Sequence, residues 1–351
     1  MNQQARPRVF CTYFNRHYLP RGVLLHASLS RHCPNFLLYV LCLDEATFEY
    51  WANLHLPTVK PISLQDLERA DPDLLAAKSS RSMVEYYFTC SPCLPLHVLR
   101  LDPTVDSVTY LDADLYFFSS PEPLFDELGA GSILMIEHRF SAANSDHGKY
   151  GRFNVGYMTF RNDDSGRKCL EWWRERCIEW CYDRLEETRF ADQKYLDAWP
   201  KLFNGVVVST NSGANLAPWN IDRHRITTKN RRLCSDENEV IFFHFAGIKV
   251  IQTLWIEPGV SWYFRYAIPR VVRSRIFLPY LRSLRAVTAS MRQSTANTRR
   301  AATTTPANSD NGAPSLFLIK WYAILLPRQF VGHFYAWITG RLFFSVGRFV
   351  L

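Results

Sequence analysis

The chain's 351 residues, 47% hydrophobic and 15% aromatic, supply a large core and exclude a mainly disordered protein. Its net charge of +8 is concentrated at one end: residues 261–351 hold thirteen Lys/Arg and one acid (Asp310), leaving 28 basic and 32 acidic side chains in the first 260. A mildly acidic body with a basic, aromatic tail points to a docking tail, not a nucleic-acid-binding body.

The opening "MNQQARPRVF" has no apolar core segment, so no signal peptide is expected. Nine cysteines, an odd number, are scattered through the chain, which fits reduced thiols in a cytosolic protein. "RVFCTYF" (8–14) predicts a strand, "GVLLHASLSRHC" (22–33) a helix with one apolar face, and "NFLLYVLCLD" (35–44) a strand buried on both faces. Strand, helix, strand at this spacing argues for an α/β doubly wound sheet. A helix around 82–100 leads into "VTYLDADLYFF" (108–118), and strands are predicted over 132–138 and 155–161. Helices follow over 166–185 and 189–199, the second stopped by Pro200, and strands over 205–210 and 239–247 close a body expected to span residues 1–260.

Residues 261–286 read as a helical extension in which Arg265, Arg273, Arg275, Arg282 and Arg285 sit among apolar residues. Residues 287–315, rich in Ala, Thr, Ser and Asn, predict a disordered linker. Residues 316–351 combine Phe, Trp and Leu with Lys320, Arg328, Arg341 and Arg348. No apolar run reaches the ~18 residues of a spanning helix. An amphipathic element in a membrane interface is expected, with a helical hairpin packed on the body as the alternative.

Asp112 and Asp114 stand one residue apart inside an apolar run. In an extended strand they would face the same way, and burying two like charges demands a counter-ion. A divalent cation with oxygen ligands answers that need; a strand-end turn with one capping Asp is the plain alternative. "FFHFAGIK" (242–249) adds His244 as a possible imidazole ligand, Gly247 for close backbone approach to a phosphate, and Lys249 to neutralise it. Cys90 and Cys93 with His97 have spacing that could present three ligands on one helical face, but no second pair accompanies them and Pro92 and Pro95 disturb the helix, so a zinc site is set aside. Cys177 and Cys181, four apart beside Trp173 and Trp180, read as core.

Taken together these motifs resemble the GT-A fold glycosyltransferases, specifically the retaining, glycogenin-like family 8, over roughly residues 8–250. "FCTYFNRHYLPRGVLLHASLSRHC" is similar to that family's opening strand and helix, which implies that Thr12, Asn15 and Tyr18 line the nucleotide pocket. "TYLDADLYFFSSPEPLF" resembles its metal motif, implying Mn²⁺ (or Mg²⁺) on Asp112 and Asp114 with Ala113 beside the donor, and His244 as a further ligand. "FNVGYMTFR" resembles its Asn-x-Gly strand, placing Asn154 and Gly156 near the donor sugar; "FADQKYLD" resembles its Asp-Gln motif, placing Asp192 and Gln193 beside the reacting carbon. "HFAGIK" is similar to its closing motif, though Lys249 comes one residue earlier than usual and no Pro-Trp follows. "GANLAPWNI" (213–221) matches no short family motif; Asn215, Trp219 and Asn220 either shape a pocket or serve as core.

The resemblance implies a fold of GT-A type and transfer of a hexose or N-acetylhexosamine, with retention, from a UDP-sugar to a glycan or lipid-linked acceptor. With the basic tail, this places the protein at the cytoplasmic face of the plasma membrane. A sugar-nucleotide nucleotidyltransferase would carry a Gly-rich loop after the first strand, which "TYFNRHYLPRG" lacks. A non-catalytic membrane adaptor on the same fold would have no use for Asp112, Asp114 and His244.

Overall fold

The computed structural model describes residues 6–252, 255–258, 268–302, 343–346 and 349–350. The chain divides into two compact units, Met1–Phe245 and Ala246–Leu351. In the first, β1 (Arg8–Phe14), α1 (Leu19–His32) and β2 (Phe36–Cys42) form the expected opening unit. Leu38, Val40 and Leu41 are fully buried, as a strand covered on both faces requires. Leu25 and Leu29 turn the apolar face of α1 into the core, and truncating Leu25 to Ala should cost about 2–5 kcal/mol.

The region between β2 and the Asp pair carries α2 (Glu45–Leu54), β3 (Val59–Ser63), α3 (Leu64–Ala70), α4 (Pro72–Ala77) and α5 (Met83–Leu101). A capping box between Ser82 and Glu85 starts α5, which runs on through Pro92 and Pro95. Then come β4 (Ser107–Leu111), β5 (Leu115–Phe117), α6 (Glu122–Leu128), β6 (Ile133–Glu137), β7 (Phe153–Arg161), α7 (Asp164–Glu179) and β8 (Val206–Val208). The central sheet has seven strands in the order β3-β2-β1-β4-β7-β6-β8. All its pairings are parallel except those of β7, which runs against both β4 and β6. Strands alternating with helices around this mostly parallel sheet give the α/β fold class that the sequence predicts.

Outside that sheet, β9 (Ile226–Lys229), β10 (Arg232–Ser235) and β11 (Asn238–Glu239) form a small antiparallel sheet. The last strand of this unit, β12 (Phe242–His244), pairs antiparallel with β5, setting His244 opposite Leu115. All nine cysteines are buried without disulfides. Cys90, Cys93, Cys177 and Cys181 belong to the main apolar core.

Two expectations in this unit need correction. Asp112 and Asp114 do not share a strand: they lie in a turn between β4 and β5, closed by the Leu115 N–H on the Asp112 carbonyl at 3.2 Å. Residues 189–199 are not one helix, because Ala191 takes a left-handed φ of +46° and a 3₁₀ turn follows over Lys194–Ala198. Pro200 stands in the first turn of the next helix, α8 (Trp199–Leu202), rather than ending one; its missing N–H costs nothing there.

In the second unit, helix spans Arg270–Val272, a π-turn Arg273–Phe277, and α-helix again Leu278–Ala302. Helix therefore covers 287–302, where a disordered linker is expected from composition. That stretch lacks Gly and Pro and holds Ala, Arg, Gln and Met, all good helix formers, so propensity outweighs the scarcity of apolar side chains. Residues 303–342 lie outside the described residues, and with them most of the expected tail. Its described parts, Phe343–Val346 and Phe349–Val350, are strands, as Phe and Val favour. No helix among the described residues is long and apolar enough to cross a membrane.

Candidate active site

The carboxyl ends of β1 and β4 open onto a cavity of about 400 Å³ lined by Tyr13, Asn15, Tyr18, Tyr87, Tyr110, Asp112, Ala113, Asp114 and His244, among others. Such strand ends are where open α/β sheets bind ligands. The β4–β5 turn delivers both aspartates, and the β5–β12 ladder brings His244 to them. His244 Nε2 lies 3.1 Å from Asp114 Oδ1 and 3.5 Å from Asp112 Oδ2. Among the described residues these three form the one cluster whose ligand atoms converge within 4.8 Å. Two carboxylates and an imidazole suit a divalent cation, and one imidazole cannot balance two carboxylates. His97 joins no such cluster with Cys90 and Cys93.

Burial opposes charge on all three groups. For Asp114 the attraction of His244 prevails and holds the carboxyl below its usual range. Asp112 stays above it, because burial and the Asp114 charge together exceed the pull of His244. Burial lowers His244, but Asp114 and Asp112 together raise it above the ordinary imidazole value.

Gly156 explains how the imidazole fits. A Cβ there would sit 2.7 Å from Asn154 Oδ1 and 2.8 Å from His244 Cε1, so only glycine leaves room for the ring. Its carbonyl also accepts the Asp112 N–H at 3.0 Å. Asn154, expected near a donor sugar, spends its amide inside the protein: Oδ1 meets the Gly156 N–H at 3.1 Å and His244 Nδ1 at 3.2 Å, and Nδ2 meets His138 Nε2 at 3.2 Å.

Asp192 is buried, and burial pushes its carboxyl up to about 7, with the charge of Asp112 adding to the effect and a hydrogen bond with Ser91 opposing it. The Ser91 hydroxyl meets Tyr13 Oη at 3.1 Å, Tyr13 bonds Tyr110, and the Tyr110 hydroxyl donates to Asp112 Oδ1 at 3.0 Å. A chain of hydroxyls thus links Asp192 to the cation cluster. Gln193 donates to the Tyr150 carbonyl at 3.2 Å and its side chain also bonds His138.

Asn15, Tyr18 and Ala113 line the cavity, whereas Thr12 is fully buried in β1 and does not. Gly247 and Lys249 fall in the second unit; Gly247 has a left-handed φ of +75°, and the Lys249 side chain lies outside the described residues. Sequence reasoning missed His138 and left open the role of residues 213–221, which support it. Trp219 Nε1 and Asn220 Nδ2 both donate to the His138 carbonyl, at 2.9 and 2.8 Å, and the Trp219 ring packs edge-on against both His138 and His244. Position at the end of a strand, in "EHRF", is the single sequence signal that marks His138.

No protein-family model matches the chain. Among solved structures, the galactosyltransferase LgtC in complex with donor and acceptor sugar analogs is 19% identical, with a TM-score of 0.46 over 68% of this chain and 87% of its own. The apo form of mouse xyloside xylosyltransferase 1 is 14% identical, with a TM-score of 0.43 over 69% of this chain and 98% of its own. At that distance neither assigns a donor or an acceptor. Two proteins of Bacillus subtilis (strain 168) are nearer in sequence. "Uncharacterized protein YfnD" is 33% identical over 279 residues, 79% of this chain and 88% of that protein. "Uncharacterized protein YfnF" is 32% identical over 250 residues, 69% of this chain and 82% of that protein. With about a third of residues shared across most of each chain, the protein belongs to the same family as YfnD and YfnF.

Proposed function

We propose that the protein is a metal-dependent retaining glycosyltransferase, moving a hexose or N-acetylhexosamine from a UDP-sugar to a glycan or lipid-linked acceptor. The observation that carries this reading is the Asp112–Asp114–His244 cluster on the wall of a cavity of about 400 Å³, ample for part of a nucleotide. A bound Mn²⁺ (or Mg²⁺) would neutralise the donor's two phosphates as they leave. Asp112, Asp114 and His244 hold that ion, and Tyr13, Asn15 and Tyr18 offer ring faces and an amide to the nucleoside. Asp192, with its carboxyl near neutrality, and Gln193 orient the donor sugar. The bond from the anomeric carbon to phosphate breaks, the bond to the acceptor oxygen forms on the same face, and the leaving phosphate takes the acceptor's proton. No covalent enzyme intermediate is needed.

The test is hydrolysis of UDP-glucose, UDP-galactose and their N-acetyl forms with and without Mn²⁺. One donor is expected to be hydrolysed, with activity abolished by chelation. Failure to bind any nucleotide-sugar would leave a non-catalytic binding module instead. Attachment to the cytoplasmic membrane face through residues 316–351 belongs to the same proposal and rests on their basic and aromatic composition. Removing residues 303–351 should free the protein from anionic vesicles, and continued sedimentation with them would dispose of the tail's role.

A further inference from the structure

We propose that His138 is a positioning residue, which acts through Asn154 to make His244 carry its hydrogen on Nδ1 and so offer a bare Nε2 to the cation. The inference rests on the reading that Asp112, Asp114 and His244 hold a divalent ion.

The hydrogen-bond chain has a direction because both of its ends are backbone. The Gly156 N–H can only donate, so the Asn154 atom 3.1 Å away is the amide oxygen. That oxygen can only accept, so the contact with His244 Nδ1 at 3.2 Å requires a hydrogen on Nδ1. The other end of the amide, Nδ2, can only donate, so His138 Nε2 at 3.2 Å is bare. The hydrogen of His138 therefore sits on Nδ1, which faces the Arg152 carbonyl at 3.3 Å, a pure acceptor. Each of these links is satisfied with one arrangement of hydrogens; without the ion, His244 Nε2 also faces Asp114 Oδ1 at 3.1 Å through a hydrogen of its own, and with Nδ1 committed to Asn154 that Nε2 hydrogen is the one the cation displaces.

His138 is built to hold its end. Its ring stacks on Phe140 with centroids 4.6 Å apart and planes within 10°. Its carbonyl is held by Trp219 and Asn220. Burial pushes the imidazole down to about 3, which keeps it neutral at working pH and preserves the acceptor. Without that acceptor the Asn154 amide loses the partner of its buried Nδ2. The amide is then held only through the Gly156 N–H and tilts off His244 Nδ1, which frees the ring to keep its hydrogen on Nε2 and block the ligand position. Partners one step behind a metal ligand commonly set its tautomer in this way, and their loss weakens metal binding about 10–100-fold.

The test is titration of the full chain with Mg²⁺ or Mn²⁺ alone by calorimetry, for the wild type, His138→Leu, His138→Gln, Asn154→Leu and the double Leu variant, with circular dichroism confirming the fold of each. His138→Leu should weaken the ion by about 10–100-fold. His138→Gln, whose carbonyl can accept the Asn154 hydrogen, should stay within about threefold of wild type. The double variant should be no weaker than Asn154→Leu alone, since the effect of His138 passes through Asn154. Additive losses, or wild-type affinity in folded His138→Leu, would overturn the proposal. Nitrogen NMR of metal-free, histidine-labelled wild type reads the tautomer without any variant: a hydrogen on His138 Nδ1 supports the relay, and one on Nε2 refutes it. If the wild type binds no divalent ion, the metal reading fails, and the proposal with it, whatever the tautomer of His138.

Discussion

Two cavities of similar size lie at opposite ends of the central sheet, and charge balance separates them. The one at the carboxyl ends, of about 400 Å³, sets two carboxylates against one imidazole. The one at the amino ends, of about 460 Å³, is lined by Arg6, Arg8, Asp106, Arg161 and Asp163 among others, and its cations are closed by acids. Arg6 meets Asp106 at 2.6 Å, Arg8 grips Glu122 at 2.6 and 3.1 Å, and Arg161 lies 4.0 Å from Asp163 while donating to the Gly131 carbonyl at 2.9 Å. Size alone would favour the second. A cavity left with excess charge of one sign still calls for a ligand, whereas one whose charges are paired is structural.

Breaking the first cluster should have the largest effect. Asp112→Asn or Asp114→Asn should lower Mn²⁺-dependent donor hydrolysis by about three orders of magnitude, because a Lewis-acid contribution of several kcal/mol is lost with the ion. Asp106→Asn, at the other end, should leave that rate within a factor of about two, since an exposed ion pair is worth about 1 kcal/mol or less. Equal losses at both ends would erase the contrast.

Asp192 sharpens it through pH. Its carboxyl ionises near 7 in the folded protein and near 3.9 in the unfolded chain, so between those values the folded state keeps a proton that the unfolded state has lost. Its contribution to stability is therefore full below about pH 4, falls as pH rises toward 7 and is flat above. Asp192→Asn removes that fall. In urea unfolding at pH 8 the metal-free variant should exceed wild type by up to about 4 kcal/mol, with no gain at pH 4. A gain of the same size at both pH values would assign the effect to packing.

Gly156→Ala should weaken Mg²⁺ binding at least 10-fold by displacing His244, and should cost about 1–3 kcal/mol of stability through overpacking. Unchanged calorimetric affinity would mean that His244 is not a ligand. Arg8→Ala, at the amino-end cavity, should cost about 1 kcal/mol or less in urea unfolding and leave ion binding unaltered.

The strands β1 and β2 are legible in the sequence because a parallel strand covered on both faces must be a continuous apolar run. The aspartate pair is legible because two charges have no place in such a run without a counter-ion. The means of convergence is not: alternation along a strand predicts it, and a turn between two sheets produces it. His138 left only a faint signal, because its partners are a backbone carbonyl and an amide on a neighbouring strand, and neither spacing nor periodicity records them. The 213–221 segment is obscure for the same reason: Trp219 and Asn220 act through the His138 carbonyl, and Asn215 through the carbonyl of Glu137.

The pairing of β12 with β5 bears on how the protein is made. Leu115 and His244, paired in that ladder, are 129 residues apart (244 − 115), so a growing chain displays two buried-to-be carboxylates long before their imidazole exists. Closing so long a loop is slow and entropically costly. An ion bound by all three ligands favours the closed ladder by mass action. The divalent ion would then serve as a clasp on the finished chain as well as a partner in catalysis, and growth in metal-poor medium should lower the yield of folded protein before it lowers the activity of each molecule.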